Sequence, residues 1–125
     1  MGKKILLIED NESYAAVLSQ KFTHEEFEVI LASDGQEGVQ KALTSQPDII
    51  LIDLLLPKMN GVEVMEEIRK NEWGKHVPLL ILTNLNPDEE IQRSIEKNRP
   101  AYYLIKPEVK LEDILEKVII ILQAS

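Results

Sequence analysis

Short apolar runs alternate with longer stretches of helical spacing along the whole chain. The runs are Ile5-Leu6-Leu7-Ile8, residues 27–32, Ile49-Ile50-Leu51-Ile52, residues 77–82 and residues 101–105. An unbroken apolar run bounded by turn signals reads as a strand buried on both faces, as inside a parallel sheet. Pro78 is compatible with a strand start but not with the middle of a ladder.

The stretches between the runs have helix signals. Asn11 caps a segment with Tyr14, Val17, Leu18 and Phe22 on one face. Asp34 with Glu37 has the spacing of a capping box and opens a helix to about Thr44, with Val39, Ala42 and Leu43 inward. Asn60-Gly61 turns the chain into a helix bearing Val62, Met65 and Ile68. Asn86-Pro87-Asp88-Glu89 supplies a cap, a proline for the first turn and acids for the positive dipole end, ahead of Ile91 and Ile95. The last helix runs from about Lys110, with Leu111, Ile114, Leu115, Val118, Ile119 and Leu122 inward. Ile120 and Ile121 widen that stripe; burial at the helix end is favoured over an exposed partner surface. Five strands alternating with five helices imply an α/β domain, a parallel sheet with helices on both faces. There is no internal repeat and no linker, so residues 1–125 are expected to form one domain.

Composition narrows the partners. The 125 residues are 44% hydrophobic and 29% charged, enough for one packed core. With 22 acidic and 14 basic residues, the net charge of -8 argues against direct binding to nucleic acid or an anionic membrane. It leaves room for a metal cation or a basic surface. The absence of cysteine excludes disulfides and thiolate chemistry and fits a cytoplasmic location. The apolar run after Lys3-Lys4 is too short for a signal peptide, and no run is long enough to span a membrane.

The strand ends carry the chemistry. Strand one ends on Glu9 and Asp10, strand three on Asp53, strand four on Thr83 and strand five on Lys106. In parallel α/β sheets these ends form one edge, and ligands bind there. Three carboxylates that repel one another suit a hard divalent cation such as Mg2+. Lys106 offers a point charge, and Thr83 a hydrogen bond, to a phosphoryl oxygen. The set points to Asp53 as a nucleophile toward phosphorus.

These residues resemble those of the response regulator receiver domains of bacterial two-component systems. The matching pieces are Ile8-Glu9-Asp10, Asp53-Leu54-Leu55-Leu56-Pro57 with Gly61, Thr83, and Tyr103-Leu104-Ile105-Lys106-Pro107. The resemblance covers the whole chain and implies a flavodoxin-like, doubly wound sheet of order 2-1-3-4-5. It implies a phosphorylation-activated signalling switch in which Asp53 accepts a phosphoryl group from a phosphohistidine of a sensor histidine kinase or phosphotransfer protein. Asp10, Asp53 and the backbone carbonyl of Leu55 would bind Mg2+ directly, with Glu9 acting through water. Thr83 and Lys106 would hold the phosphoryl oxygens, and Tyr103 would turn inward as Thr83 moves. Lys106-Pro107 would be a candidate cis bond. Such a domain is no conventional enzyme: it catalyses its own phosphorylation and autodephosphorylation. Its output would be altered contact with a downstream protein through the face around Tyr103, or a homodimer formed on phosphorylation. A piece of a longer regulator with a DNA-binding domain is a further reading.

Departures from the family pattern shape two expectations. Glu9 replaces a shorter Asp, Asn84 stands where a small residue is usual, and Asn98-Arg99-Pro100-Ala101 replaces a Gly-Ala turn. Asn84 would narrow access to the site. Leu55 and Leu85 are apolar and cannot position an attacking water, so autodephosphorylation is expected to be slow. A phosphatase of the haloacid-dehalogenase type, the rival from another class, needs a general acid where Leu55 stands. A degenerate binding module without phosphorylation is the other rival.

Overall fold

The computed structural model describes residues 2–124. The strands are β1 (Lys4–Ile8), β2 (Glu28–Ala32), β3 (Ile49–Ile52), β4 (Leu79–Thr83) and β5 (Tyr102–Ile105). The helices are α1 (Glu12–His24), α2 (Gly35–Ser45), α3 (Gly61–Lys70), α4 (Glu89–Glu96) and α5 (Leu111–Ala124), with 3-10 turns at Trp73–Lys75 and Lys106–Glu108. All strand pairs are parallel, in the order β2-β1-β3-β4-β5. The chain reverses its winding between β1 and β3. The loops that follow these two strands therefore part and leave a crevice at the carboxyl edge.

The apolar runs of β1, β3 and β4 are buried on both faces, whereas β2 and β5, at the edges of the sheet, are only partly buried and correct that expectation for their runs. Ile5, Leu7, Ile49, Leu51, Leu80 and Leu82 pack with Leu18, Phe22, Ile114 and Val118 of α1 and α5. Leu6, Ile8, Ile50, Ile52, Leu79 and Ile81 pack with Ala42, Val64, Met65, Ile68 and Ile95 of α2, α3 and α4. Each fully buried Leu or Ile contributes about 1.5–3 kcal/mol relative to exposure, so β3, with all four residues at 0% exposure, is a firm platform for the residue that follows it.

Several local expectations need correction. Val17 is 46% exposed, and Ala15 takes its inward place on α1. Asp34 caps α2, but Glu37 returns to the Ser33 amide rather than closing a box on Asp34. The reciprocal box is at Asn60 and Glu63, where only a turn is expected. Asp88, not Asn86, caps α4: its backbone is extended and its carboxylate accepts from the Ile91 amide, so Pro87 precedes the cap rather than opening the first turn. On α5 Ile121 is buried and Ile120 exposed. Every peptide bond among the described residues is trans, including Lys106-Pro107. Pro107 stands inside the 3-10 turn Lys106–Glu108, where the φ of a trans proline continues the turn.

Candidate functional site

The site is assembled from the carboxyl ends of four strands. β3 carries Asp53 out of the core at 4% exposure. Gly61 lets the following loop fold back against it: a Cβ there would stand 2.5 Å from the Asp53 carbonyl oxygen and 2.6 Å from Leu54 Cα. The loop lends Asp53 an amide, since the Leu55 N–H donates to Asp53 Oδ1 at 3.0 Å. Thr83, fully buried at the end of β4, donates its hydroxyl to the same oxygen at 2.5 Å. Lys106, from the end of β5, donates to the other oxygen, Oδ2, at 2.9 Å. Each carboxylate oxygen of Asp53 thus has its own side-chain partner.

Glu9 completes the buried charge. Its Oε1 lies 2.6 Å from Lys106 Nζ, and its Oε2 accepts from the Asn11 amide at 3.0 Å. Burial pushes the Glu9 carboxyl above its ordinary range despite the opposing pull of Lys106 and Asn11, and the nearby Asp53 adds to the rise. Burial acts to lower the Lys106 ammonium, but the contacts with Glu9 and Asp53 outweigh it and the net direction is upward. Asp10 is exposed at the rim. Carboxylate oxygens of Glu9, Asp10 and Asp53 lie within 4.8 Å of one another. Three carboxylates gather where one ammonium contacts only two of them, so the donor set fits a small hard cation with oxygen ligands and room for water.

A chain of hydrogen bonds leaves the site. The Leu85 N–H donates to Thr83 Oγ1 at 3.3 Å, and the Tyr103 hydroxyl donates to the Leu85 carbonyl at 2.5 Å. Tyr103 is half-buried against the second core cluster. Burial, and secondarily Asp53, raise its phenol above the ordinary range. A cavity of about 480 Å3 lies on the outer side of this chain between α4 and β5, lined by Pro87, Gln92, Ile95, Arg99, Tyr102 and Tyr103. It is apart from the carboxylate cluster.

A family model described as the response regulator receiver domain matches residues 5–119. The chain belongs to this receiver domain family. Among curated relatives, the receiver is 38% identical over 108 residues to the alkaline phosphatase synthesis transcriptional regulatory protein PhoP of Bacillus subtilis, covering 86% of this chain and 43% of that one. It is 32% identical over 120 residues to the response regulator ArlR of Staphylococcus aureus, covering 96% and 52%. The receiver therefore spans about half the length of these relatives. A solved CheY-like receiver domain protein from Methanospirillum hungatei superposes with a TM-score of 0.90 at 26% identity, covering 99% of this chain and 96% of that one. The receiver domain of a sensor histidine kinase from Pseudomonas aeruginosa, solved with a magnesium ion coordinated in its active site cleft, gives 0.83 at 31% identity, covering 99% and 97%.

The structure brings together Glu9, Asp10, Asp53, Thr83 and Lys106, and attaches Leu85 and Tyr103 to them. Leu55 contributes its amide, while its side chain is 51% exposed. Asn84 is exposed beside Thr83. Two contributors are not singled out by sequence. Asn11 reads as a helix cap, yet its amide also holds Glu9. Tyr14 reads as an inward residue of α1, yet its ring lies 4.5 Å from Lys106 Nζ. The signal for both is proximity to the acid pair: they fall in the first turn after Asp10, hence at the same sheet edge.

Proposed function

We propose that residues 1–125 work as one receiver unit, a phosphorylation-activated switch with Asp53 as phosphoacceptor. The observation that carries this reading is the division of labour at Asp53, with Thr83 on Oδ1 and Lys106 on Oδ2. The donor is a phosphohistidine of a sensor histidine kinase or phosphotransfer protein. The Asp53 carboxylate attacks phosphorus, the P–N bond breaks, and solvent protonates the departing imidazole. Thr83 and Lys106 then pass from carboxylate to phosphoryl oxygens, contacts that strengthen as charge builds there. Asp10, Asp53 and the Leu55 carbonyl would hold Mg2+, with Glu9 at one remove because both its oxygens are already engaged. The ion neutralises the charge that collects where a phosphoryl group meets carboxylates. The chain turns over no separate substrate in this reading.

The hydrogen bonds from Thr83 through Leu85 to Tyr103 support a route from Asp53 to an output face. The cavity beside Tyr103 is where a downstream protein, or a second phosphorylated copy, would be met. The net charge of -8 disfavours nucleic acid as a direct partner, and no helix among the described residues is long and apolar enough to cross a membrane. A cytoplasmic location follows from the kinase chemistry assigned here.

Incubation with acetyl phosphate and Mg2+, read by intact mass, tests the reading. The wild-type chain should gain one phosphoryl group, and Asp53→Asn should gain none. The exposed Leu55 and half-buried Leu85 leave no polar side chain at those positions to orient water, so the adduct should outlast minutes. An adduct on Asp53→Asn would remove the phosphoacceptor assignment, and decay within seconds would remove the slow-hydrolysis one.

A further inference from the structure

We infer that Tyr14 is a positioning residue for phosphoryl transfer, holding the Lys106 ammonium against the acceptor through the face of its ring. The inference rests on Lys106 being a phosphoryl-contacting group.

Lysine is a poor anchor by itself. Its four-carbon stem has several rotatable bonds, and its charge has no preferred direction. Confinement must come from what surrounds it. Lys106 Nζ has carboxylates on two sides, Glu9 at 2.6 Å and Asp53 at 2.9 Å, and the Tyr14 ring centroid at 4.5 Å. The Lys106 side chain is only 10% exposed. That burial separates this contact from an ordinary one. A second lysine–tyrosine pair, Lys117 over Tyr102, exists at 5.0 Å. Such pairs arise about once per 70–80 residues in proteins and are worth more when desolvated. Occurrence alone therefore decides nothing; the shielded setting at Lys106 does.

Tyr14 is itself held from the same turn that holds Glu9. Its amide donates to the Asn11 cap at 3.0 Å, while the Asn11 amide donates to Glu9. Two walls of the Lys106 cage, carboxylate and ring, are thus fixed by one cap residue. During transfer Lys106 must release Asp53 Oδ2 and meet a phosphoryl oxygen. Asp53 can no longer restrain it then, because that carboxylate has become the acyl phosphate. Glu9 and Tyr14 remain. The ring supplies attraction without a hydrogen bond that fixes direction, so the ammonium can pivot while staying at the site. A third carboxylate in that place would hold the cation harder but would repel the incoming phosphoryl group.

The test compares wild type, Tyr14→Phe and Tyr14→Leu at saturating Mg2+, with acetyl phosphate labelling followed by intact mass. Tyr14→Phe keeps the π face and should label at the wild-type rate. Tyr14→Leu should label about threefold to thirtyfold more slowly, the rate equivalent of a partly desolvated cation–π contact. Tyr14→Met, apolar and without a π face, stands in if the leucine variant does not fold. A spectroscopic reading separates positioning from packing. The Lys106 ε-methylene protons should be shifted upfield by the ring in wild type and Tyr14→Phe, and not in Tyr14→Leu. Equal labelling rates for wild type and Tyr14→Leu, equal losses in both variants, or unshifted lysine protons in wild type would each overturn the assignment. A wild-type chain that gains no phosphoryl group but shows the upfield protons would instead remove the underlying reading of Lys106 and leave the ring contact standing.

Discussion

Glu9 illustrates the balance at single-residue scale. It is 4% exposed and paired with Lys106, yet its carboxyl is raised because burial, together with the nearby Asp53 carboxylate, outweighs the pairing and the Asn11 amide. For an acid with a raised folded value, the native state binds more protons than the unfolded state above the ordinary value of 4.5. Stability contributed by this group is therefore greatest below that pH and is lost as pH rises through the folded value. Asp34 and Glu37, both lowered by backbone hydrogen bonds, act in the opposite sense and lower down, regaining stability as pH rises toward their ordinary values of 3.8 and 4.5. Without divalent cations, the urea midpoint should fall from about pH 4.5 toward neutrality, and Glu9→Gln should flatten that fall. Added Mg2+ should raise the midpoint more at neutral than at acid pH, since ligands bind through the ionised carboxylates. A midpoint that climbs steadily over this range in wild type would contradict the assignment.

At the scale of elements, Arg69 ties α3 to the loops that lead into β4 and β5. Its Nε donates to the Asn98 carbonyl at 2.8 Å, and its Nη1 to the carbonyls of Gly74 and Val77 at 2.8 and 2.7 Å. Burial, and then the neighbouring Arg99, depress the guanidinium to about 10. No carboxylate is among these partners; loop carbonyls satisfy the cation. Arg69→Met should leave those carbonyls short of donors and cost about 2–3 kcal/mol, read as a lower urea midpoint at unchanged slope. A change within about 0.5 kcal/mol would place Arg69 among ordinary surface positions. Nothing in the sequence marks this clamp, because its partners are backbone carbonyls, which any residue could supply. Helix starts were more legible: Asn11, Asp34 and Asn60 all cap, since a cap depends on a few adjacent residues. Asn86 was misleading because two candidate caps flank Pro87 and geometry chose Asp88.

For the molecule as a whole, the hydrogen-bonded path from Asp53 to Tyr103 crosses from the carboxyl edge to the α4–β5 face. Thr83 already contacts Asp53, and Tyr103 already contacts Leu85. Phosphorylation would then act by strengthening one end of an existing path and biasing the arrangement of the loop after β4. Removing one link should separate chemistry from output. In Tyr103→Phe, Asp53 should still gain its phosphoryl group. Amide hydrogen exchange over residues 84–88, expected to slow on phosphorylation in wild type, should change much less in the variant. An equal slowing in both would assign the output to a different route.

Strand positions, most of each helix face and the identity of the polar strand ends follow from the sequence itself. An unbroken run such as Ile49-Ile50-Leu51-Ile52 can be buried only between two layers, and an acid directly after it must emerge at an edge. The parallel class follows from the alternation of elements. What only the tertiary structure decided is how those ends share their charges. Asp53, Thr83 and Lys106 are separated by 30 and 53 residues, and no local pattern says which carboxylate oxygen takes which donor. The same holds for Tyr14, whose ring is ordinary helix-face hydrocarbon in sequence and a wall of the Lys106 cage in space. Local chemistry is written in adjacent residues. Pairing across the sheet edge depends on crossovers that bring distant residues within hydrogen-bond range, and that distance is a property of the fold.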